Sequence, residues 1–125
     1  MDIRIRVSGY TAFAFVGDKI VGTLLFDIPD DEAGLRNLDI VYLETDISYR
    51  RKGVATALLE YIMEYFRNQV WISFWTGKQA EIDKSYVLFE KLGFKQLAYQ
   101  EDYYDDGIGT RLFARRMDKE ENNVL

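Results

Sequence analysis

The chain has 125 residues, a net charge of −5, 48% apolar residues and 15% aromatic ones. That length makes one domain with a real core, the aromatic content argues against disorder, and the negative charge argues against a general nucleic-acid binder. The complete lack of cysteine and histidine excludes disulfides, a cysteine nucleophile and Ser-His-Asp chemistry; no metal site is expected, and proton transfer is left to carboxylates, tyrosines, lysines or water.

Ile3–Val7 alternates apolar and basic residues, the pattern of a half-exposed strand. Tyr10–Val16 is aromatic-rich and reads as a second strand, and Gly17-Asp18 signals a hairpin into a third, Lys19–Ile28. A polar loop over 29–37 precedes the central strand, Leu38–Thr45. From Arg51 to Arg67, apolar residues at Val54, Leu58, Ile62, Tyr65 and Phe66 recur at helical spacing. Val70–Trp75 is a short apolar strand, parallel to 38–45 if the connection is a right-handed crossover. Gln79–Leu92 reads as a second amphipathic helix with Ile82, Tyr86, Phe89 and Leu92 on its apolar side, stopped by Gly93. Phe94–Tyr99 and Gly109–Met117 are the last strands, joined by an acidic loop. Residues 1–117 thus form the domain and 118–125 a polar tail. No apolar run is long enough to span a bilayer and the N-terminus lacks a signal pattern, so a soluble, cytoplasmic protein is expected.

This order predicts a mixed α/β (α+β) sheet, antiparallel at the N-terminal end, parallel in the middle, with two main helices. Such sheets bind ligands where strands diverge beside a helix N-terminus; here that place lies between 38–45 and 70–75. A basic turn, Arg50, Arg51 and Lys52, leads into Gly53, Val54, Ala55 and Thr56 at the start of the helix. Small residues there let an anion approach the unpaired backbone N–H groups, and the flanking cations strengthen the attraction. The spacing fits neither GxGxxG nor GxxxxGK[ST], which excludes the dinucleotide and P-loop fingerprints.

Arg50-x-x-Gly53-x-Ala55 resembles the acyl-CoA pyrophosphate loop of the GNAT superfamily of N-acetyltransferases, whose pattern is Gln/Arg-x-x-Gly-x-Gly/Ala. Val87–Phe94 (VLFEKLGF) is similar to the superfamily's second signature, Tyr-Glu-Lys-x-Gly-Phe. Tyr103-Tyr-Asp-Asp-Gly107, followed by Thr110–Met117, resembles the tyrosine-rich loop and closing strand of members that acetylate protein N-termini. Asp39 precedes Arg50 at the spacing of the glutamate base in the histone acetyltransferase branch. The resemblance implies a GNAT-like fold with splayed parallel central strands and acetyl-CoA as cosubstrate. It implies an amine acceptor: a protein or peptide lysine or N-terminus, or a small cationic amine. It also implies that the Leu43 N–H polarises the thioester carbonyl and that Leu43 and Thr45 pair with the pantetheine amides. There are departures. Only Ser8-Gly9 separates Val7 from Tyr10, where the superfamily places two helices that roof the acceptor site. Phe89 stands where a proton-donating tyrosine is frequent, and Ile82 near the place of an expected asparagine.

Acetyl transfer from a thioester needs a neutral amine, a donor for the oxyanion and a fate for the thiolate. With no cysteine to carry the acyl group, direct attack in a ternary complex follows. Asp39 is the candidate base, acting through water; it shares a strand face with Val41, Leu43 and Thr45 if no bulge intervenes. The other reading makes Asp39 a cap or ion-pair partner near a strand start. Glu44 is a second candidate, brought to the face of Asp39 only by a bulge. Tyr86 could replace the missing phenol as acid, or be an aromatic of the helix core face; Tyr103 and Tyr104 are alternatives. The acidic segments 27–32 and 101–106 could form a rim that attracts a cationic amine, or be solvated loops. Arg115 and Arg116 read as strand-surface residues. The alternative function is a non-catalytic acyl-CoA-binding or protein-interaction module with a degenerate site; a third reading is an inhibitor-type protein that modifies one macromolecular target. A homodimer through the C-terminal edge is compatible with the pattern, and neither nucleic acid nor membrane is an expected partner.

Overall fold

The computed structural model describes residues 1–28, 37–67 and 69–117. Of the loop expected over 29–37, residues 29–36 lie outside the described residues, as does the tail over 118–125, while Asn37 already belongs to the strand that follows. The elements are β1 (Arg4–Ser8), β2 (Thr11–Val16), β3 (Lys19–Asp27), β4 (Asn37–Thr45), α1 (Val54–Tyr65), β5 (Trp71–Trp75), α2 (Lys78–Asp83), α3 (Val87–Lys91), β6 (Lys95–Gln100) and β7 (Thr110–Arg116). One seven-stranded sheet runs in the order β1-β2-β3-β4-β5-β7-β6. Among the described residues only β4 and β5 pair in parallel; the other neighbours are antiparallel. No helix among the described residues is long and apolar enough to cross a membrane.

One face of this sheet carries the core. Leu38 and Ile40 of β4 pair with Ile72 and Phe74 of β5, and Phe74 pairs with Phe113 of β7; all five side chains are buried. Helix α1 packs over β1–β4 through Val54, Leu58, Leu59 and Ile62. Their spacing turns Tyr65 away from the sheet, so this residue of the expected apolar stripe is exposed and stacks on Tyr61 at 5.7 Å. Phe66, just past the helix, meets Phe26 at 4.9 Å. On the same sheet face, Phe89 of α3 stacks on Phe74 at 4.6 Å and on Phe113 at 5.9 Å.

The second expected helix is broken in two. The Asp83 carboxylate accepts the Ser85 N–H at 2.9 Å, and Lys84 takes a left-handed φ of 57°. A short aspartate side chain that captures the backbone two residues on competes with the helical ladder. The break leaves Ile82 exposed, against expectation, and makes Tyr86 the N-cap of α3. Gly93 follows α3 with φ +87°, as its stop residue should. Arg115 also departs from the surface reading: it is half-buried on the helix side, and its guanidinium donates to the Leu92 carbonyl at the end of α3.

The opposite sheet face carries no helix among the described residues. A tight turn joins β1 to β2, which pair from Ser8–Thr11 onward, so no chain is left between them to form a cover.

Gly22 sets how closely α1 approaches the sheet. A Cβ there would lie 2.6 Å from Val54 Cγ1 and 3.1 Å from Leu58 Cδ1, and a helical valine has little rotamer freedom with which to yield. Gly22→Ala should cost about 1–3 kcal/mol in urea unfolding, and adding Val54→Ala should recover part of that loss. An unchanged midpoint in the single variant would show that the helix–sheet distance is not limiting.

Candidate active site

The β4–β5 ladder has four pairs, from Asn37–Trp71 to Ile40–Phe74. Beyond them β4 continues to Thr45, paired among the described residues with β3 alone. The register with β3 jumps at this point: Leu25 pairs with Tyr42 and Phe26 with Ile40, leaving Val41 as an extra residue. This bulge shifts the side-chain alternation. The expectation that Asp39 shares a face with Leu43 and Thr45 is therefore corrected. Leu43 and Thr45 pair with Leu24 and Gly22 of the helix-covered face, whereas Asp39, Tyr42 and Glu44 lie on the helix-free face.

Asp39 is half-buried. Its Oδ1 accepts from Ser73 Oγ at 2.6 Å and from Asn37 Nδ2; the amide of Asn37 also reaches Ser73 Oγ at 3.2 Å. This trio spans the last paired stretch of β4 and β5, so the carboxylate is oriented rather than loose. Glu44, farther along the face, accepts a hydrogen bond from the Tyr42 hydroxyl, which holds that phenol above its ordinary range.

β4 leads into a compact basic turn. Asp46 accepts the Ser48 N–H at 2.9 Å and opens a single 3₁₀ turn, Ile47–Tyr49. Arg51 (φ +62°) and Gly53 (φ +85°) take left-handed conformations that swing the chain into α1. Arg50, Arg51 and Lys52 are exposed, and the Lys52 ammonium lies 5.4 Å from the Tyr49 ring centre. Gly53 is the N-cap of α1 and supplies no side-chain bond. A capping side chain stabilises a helix by about 1 kcal/mol, whereas full burial of each of Val54, Leu58, Leu59 and Ile62 stabilises by about 1.5–3 kcal/mol. Packing therefore holds α1 without a cap, and the N–H groups of its first turn stay available. A Cβ at Gly53 would meet nothing within 4 Å, so the space before these donors is open. This uncapped, cation-flanked turn has the open donors and the positive charge that an anionic group requires.

Ala55 and Thr56 are half-buried in the first turn, behind the buried Val54. Tyr86 is also half-buried; its ring stacks on Phe113 at 5.9 Å and lies under the Arg111 guanidinium at 4.6 Å. Its hydroxyl has no hydrogen-bond partner among the described residues. Phe89 is buried against three aromatic rings, those of Phe74, Phe94 and Phe113.

Sequence reasoning missed a polar cluster at the end of β5. Thr76 is fully buried. Its hydroxyl donates to Glu81 at 2.7 Å and accepts the Arg111 N–H at 2.8 Å; its carbonyl accepts from Tyr104 Oη at 2.7 Å and Thr110 Oγ1 at 2.8 Å. Arg111 pairs with Glu81 at 3.1 Å and lies over both Tyr86 and Tyr99. Lys78 bridges Asp105 and Asp106 at 2.7 and 3.1 Å, which raises the Lys78 ammonium and lowers the Asp105 carboxyl from their ordinary ranges. The tyrosine-rich loop is thus tied to the end of β5, with Tyr103 left exposed. No residue spacing announces this cluster, because it joins four separate segments.

Residues 2–94 match the family model described as the acetyltransferase (GNAT) family. An N-alpha-acetyltransferase of Saccharolobus solfataricus is 30% identical over 117 residues, covering 82% of this chain and 66% of the relative. A [ribosomal protein bS18]-alanine N-acetyltransferase of Escherichia coli is 30% identical over 86 residues, covering 69% of this chain and 55% of the relative. The chain therefore spans less than two thirds of the length of these curated relatives. Among solved structures, the ribosomal-protein-S18-alanine N-acetyltransferase of Escherichia coli superposes with a TM-score of 0.73 at 19% identity, over 86% of this chain and 68% of that one. Arabidopsis thaliana Naa50 in complex with a bisubstrate analogue gives 0.73 at 20% identity, over 85% and 72%. At such identities the superpositions speak for the fold.

Removing the hydroxyl of Thr76 strands the Arg111 N–H and leaves the Glu81 carboxylate with Arg111 as its partner. Thr76→Val should therefore cost about 1–3 kcal/mol, read as a lowered midpoint in thermal or urea unfolding. Wild-type stability in this variant would show that the cluster carries no net energy.

Proposed function

The chain belongs to the acetyltransferase (GNAT) family, and from that premise we propose that it is an acetyl-CoA-dependent N-acetyltransferase, acting on a primary amine by direct attack in a ternary complex. One observation carries the reading: β4 parts from β5 after Ile40–Phe74 and then delivers the chain into the uncapped N-terminus of α1. A strand edge without a partner among the described residues and a set of free helix donors, in that order, suit an extended amide-bearing chain that ends in a diphosphate.

Coenzyme A, when bound, supplies an acetyl thioester and a diphosphate. The N–H groups of Gly53, Val54, Ala55 and Thr56 hold the diphosphate, with Arg50 and Arg51 beside them and Lys52 completing the basic turn. The backbone of Leu43 and Thr45 offers amide partners to the pantetheine, and the Leu43 N–H is the donor for the charge that develops on the thioester oxygen. Asp39 accepts the amine's proton through water; Asn37 and Ser73 fix its orientation. Glu44, which the Val41 bulge sets on the same face, is a second carboxylate for that role. Tyr86 is the candidate donor to the departing thiolate. The N-alpha-acetyltransferase and bS18-alanine N-acetyltransferase relatives support a protein or peptide amine as acceptor.

The burial of Phe89 where a phenol is frequent favours a second reading, a cofactor-binding module without catalysis. Coenzyme A binding with no thiol release over a broad amine panel would select it.

Gly53→Glu puts a carboxylate into the cradle. It should weaken coenzyme A binding at least about tenfold, which is about 1.4 kcal/mol, by calorimetry on a variant whose fold is checked by circular dichroism. Retained affinity would place the cofactor elsewhere. Asp39→Asn keeps the hydrogen bonds but cannot take a proton. It should lower kcat about 10²-fold, with coenzyme A affinity unchanged; an unchanged kcat would take the base role from Asp39.

A further inference from the structure

We propose that the acceptor amine is carried on an unbranched aliphatic stem, and that a trough on the helix-free sheet face, walled by Trp71, Trp75, Asp39, Leu97 and Leu112, selects it. This inference rests on the transferase reading above and names its acceptor class.

The trough follows from side-chain sizes at adjacent register positions. Ser73 and Ala114 pair across β5 and β7 and form a floor of small residues. Trp71 and Trp75 rise from the same strand face at either end, four residues or about 13 Å apart. Asp39 pairs with Ser73 on one side, while Leu97 and Leu112 close the other. The depression holds about 330 Å³, near the lower end of small-ligand sites, about 300–1,000 Å³.

Its chemistry is asymmetric. The wall of Leu97 and Leu112 is apolar and has no side-chain hydrogen-bonding group. Asp39 has Oδ1 taken by Asn37 and Ser73, and Oδ2 without a partner among the described residues. A carboxylate beside an indole face favours an ammonium group. The two ends differ as well. The Arg116 guanidinium lies 5.6 Å from the Trp71 ring centre, so that end already carries a cation. Trp75, 49% exposed, has no cation over it among the described residues. The amine therefore belongs at the Trp75–Asp39 end, which is also where β4 and β5 part.

A lysine or a diamine lays methylenes against the leucines and presents its nitrogen to Asp39. A peptide N-terminus instead brings a branched carbon and a polar carbonyl within two bonds of the nitrogen, against a leucine wall, Leu97 and Leu112, that offers no donor. The ammonium releases one proton through Asp39 to solvent. The neutral amine then forms the C–N bond as the C–S bond breaks, and its remaining surplus proton goes to the thiolate.

The test uses the wild-type protein with saturating acetyl-CoA and three acceptors: an N-acetylated peptide with one lysine, the same peptide with a free α-amine and norleucine for lysine, and cadaverine. Thiol release gives kcat/KM for each. The lysine peptide or cadaverine should exceed the α-amine peptide about tenfold or more, and the better of the two tells a polypeptide lysine from a free diamine. Ser73→Leu, which fills the floor, and Trp75→Ala, at an exposed ring, should each raise KM for the preferred amine about tenfold. Coenzyme A affinity should not change, and Trp75→Phe should recover part of the loss. An equal or faster α-amine peptide, or an unchanged KM in both variants, overturns the proposal while transfer itself stands. Coenzyme A binding with transfer to none of the three also overturns it and leaves the cradle intact. A wild-type protein that does not bind coenzyme A overturns the transferase reading itself.

Discussion

The interruption of the β4–β5 ladder after four pairs is the constraint on which the rest depends. A sheet gains by extending its pairing, so a gap in the middle has to be held open from both sides. On one side, the extra residue at Val41 lets β4 twist away with β3, which it follows to Thr45. On the other, the chain leaving β5 is drawn toward β7: the Thr76 N–H donates to the Arg111 carbonyl at 2.9 Å, and its hydroxyl is taken by Glu81 and Arg111. A fully buried threonine with all its polar atoms partnered is costly to displace. The gap is thus a consequence of two local structures, neither of which lies in it.

The sequence was most legible where one residue type meets one local need. Gly53 and Gly93 take positive φ where a helix opens or has just closed, and the alternation of β1 carries over directly into the sheet. The loop at Arg50–Ala55, where the resemblance lies, opens a helix at Gly53 as its pattern requires. Legibility failed where register decides. A one-residue bulge at Val41 exchanged the faces of Leu43 and Glu44 relative to Asp39, and period-two reasoning cannot see an insertion of one. It failed again at Asp83-Lys84-Ser85, where a side-chain capture of backbone outcompeted a good helical pattern. Asn37 and Ser73, 36 residues apart, become neighbours only through the parallel register, so the orientation of Asp39 was beyond reach of the linear pattern.

Parallel strands are usually covered on both faces and read as apolar throughout. In β4 and β5 that rule holds on one side only. Leu38, Ile40, Ile72 and Phe74 are buried under the helices, while Asn37, Asp39 and Ser73 lie on the helix-free face and bond to one another. Three polar residues that satisfy each other can border water without strand polar groups being lost. Trp71 and Trp75 cannot be explained in the same way. They stand 36% and 49% exposed on strand positions where a small polar residue would serve solubility better, one on each side of Ser73. Large indoles beside a serine make relief, and relief next to an oriented carboxylate is what separates a binding surface from a merely uncovered one. The same residues that border this face, which carries no helix among the described residues, therefore give it a shape that a flat, wholly polar face would lack.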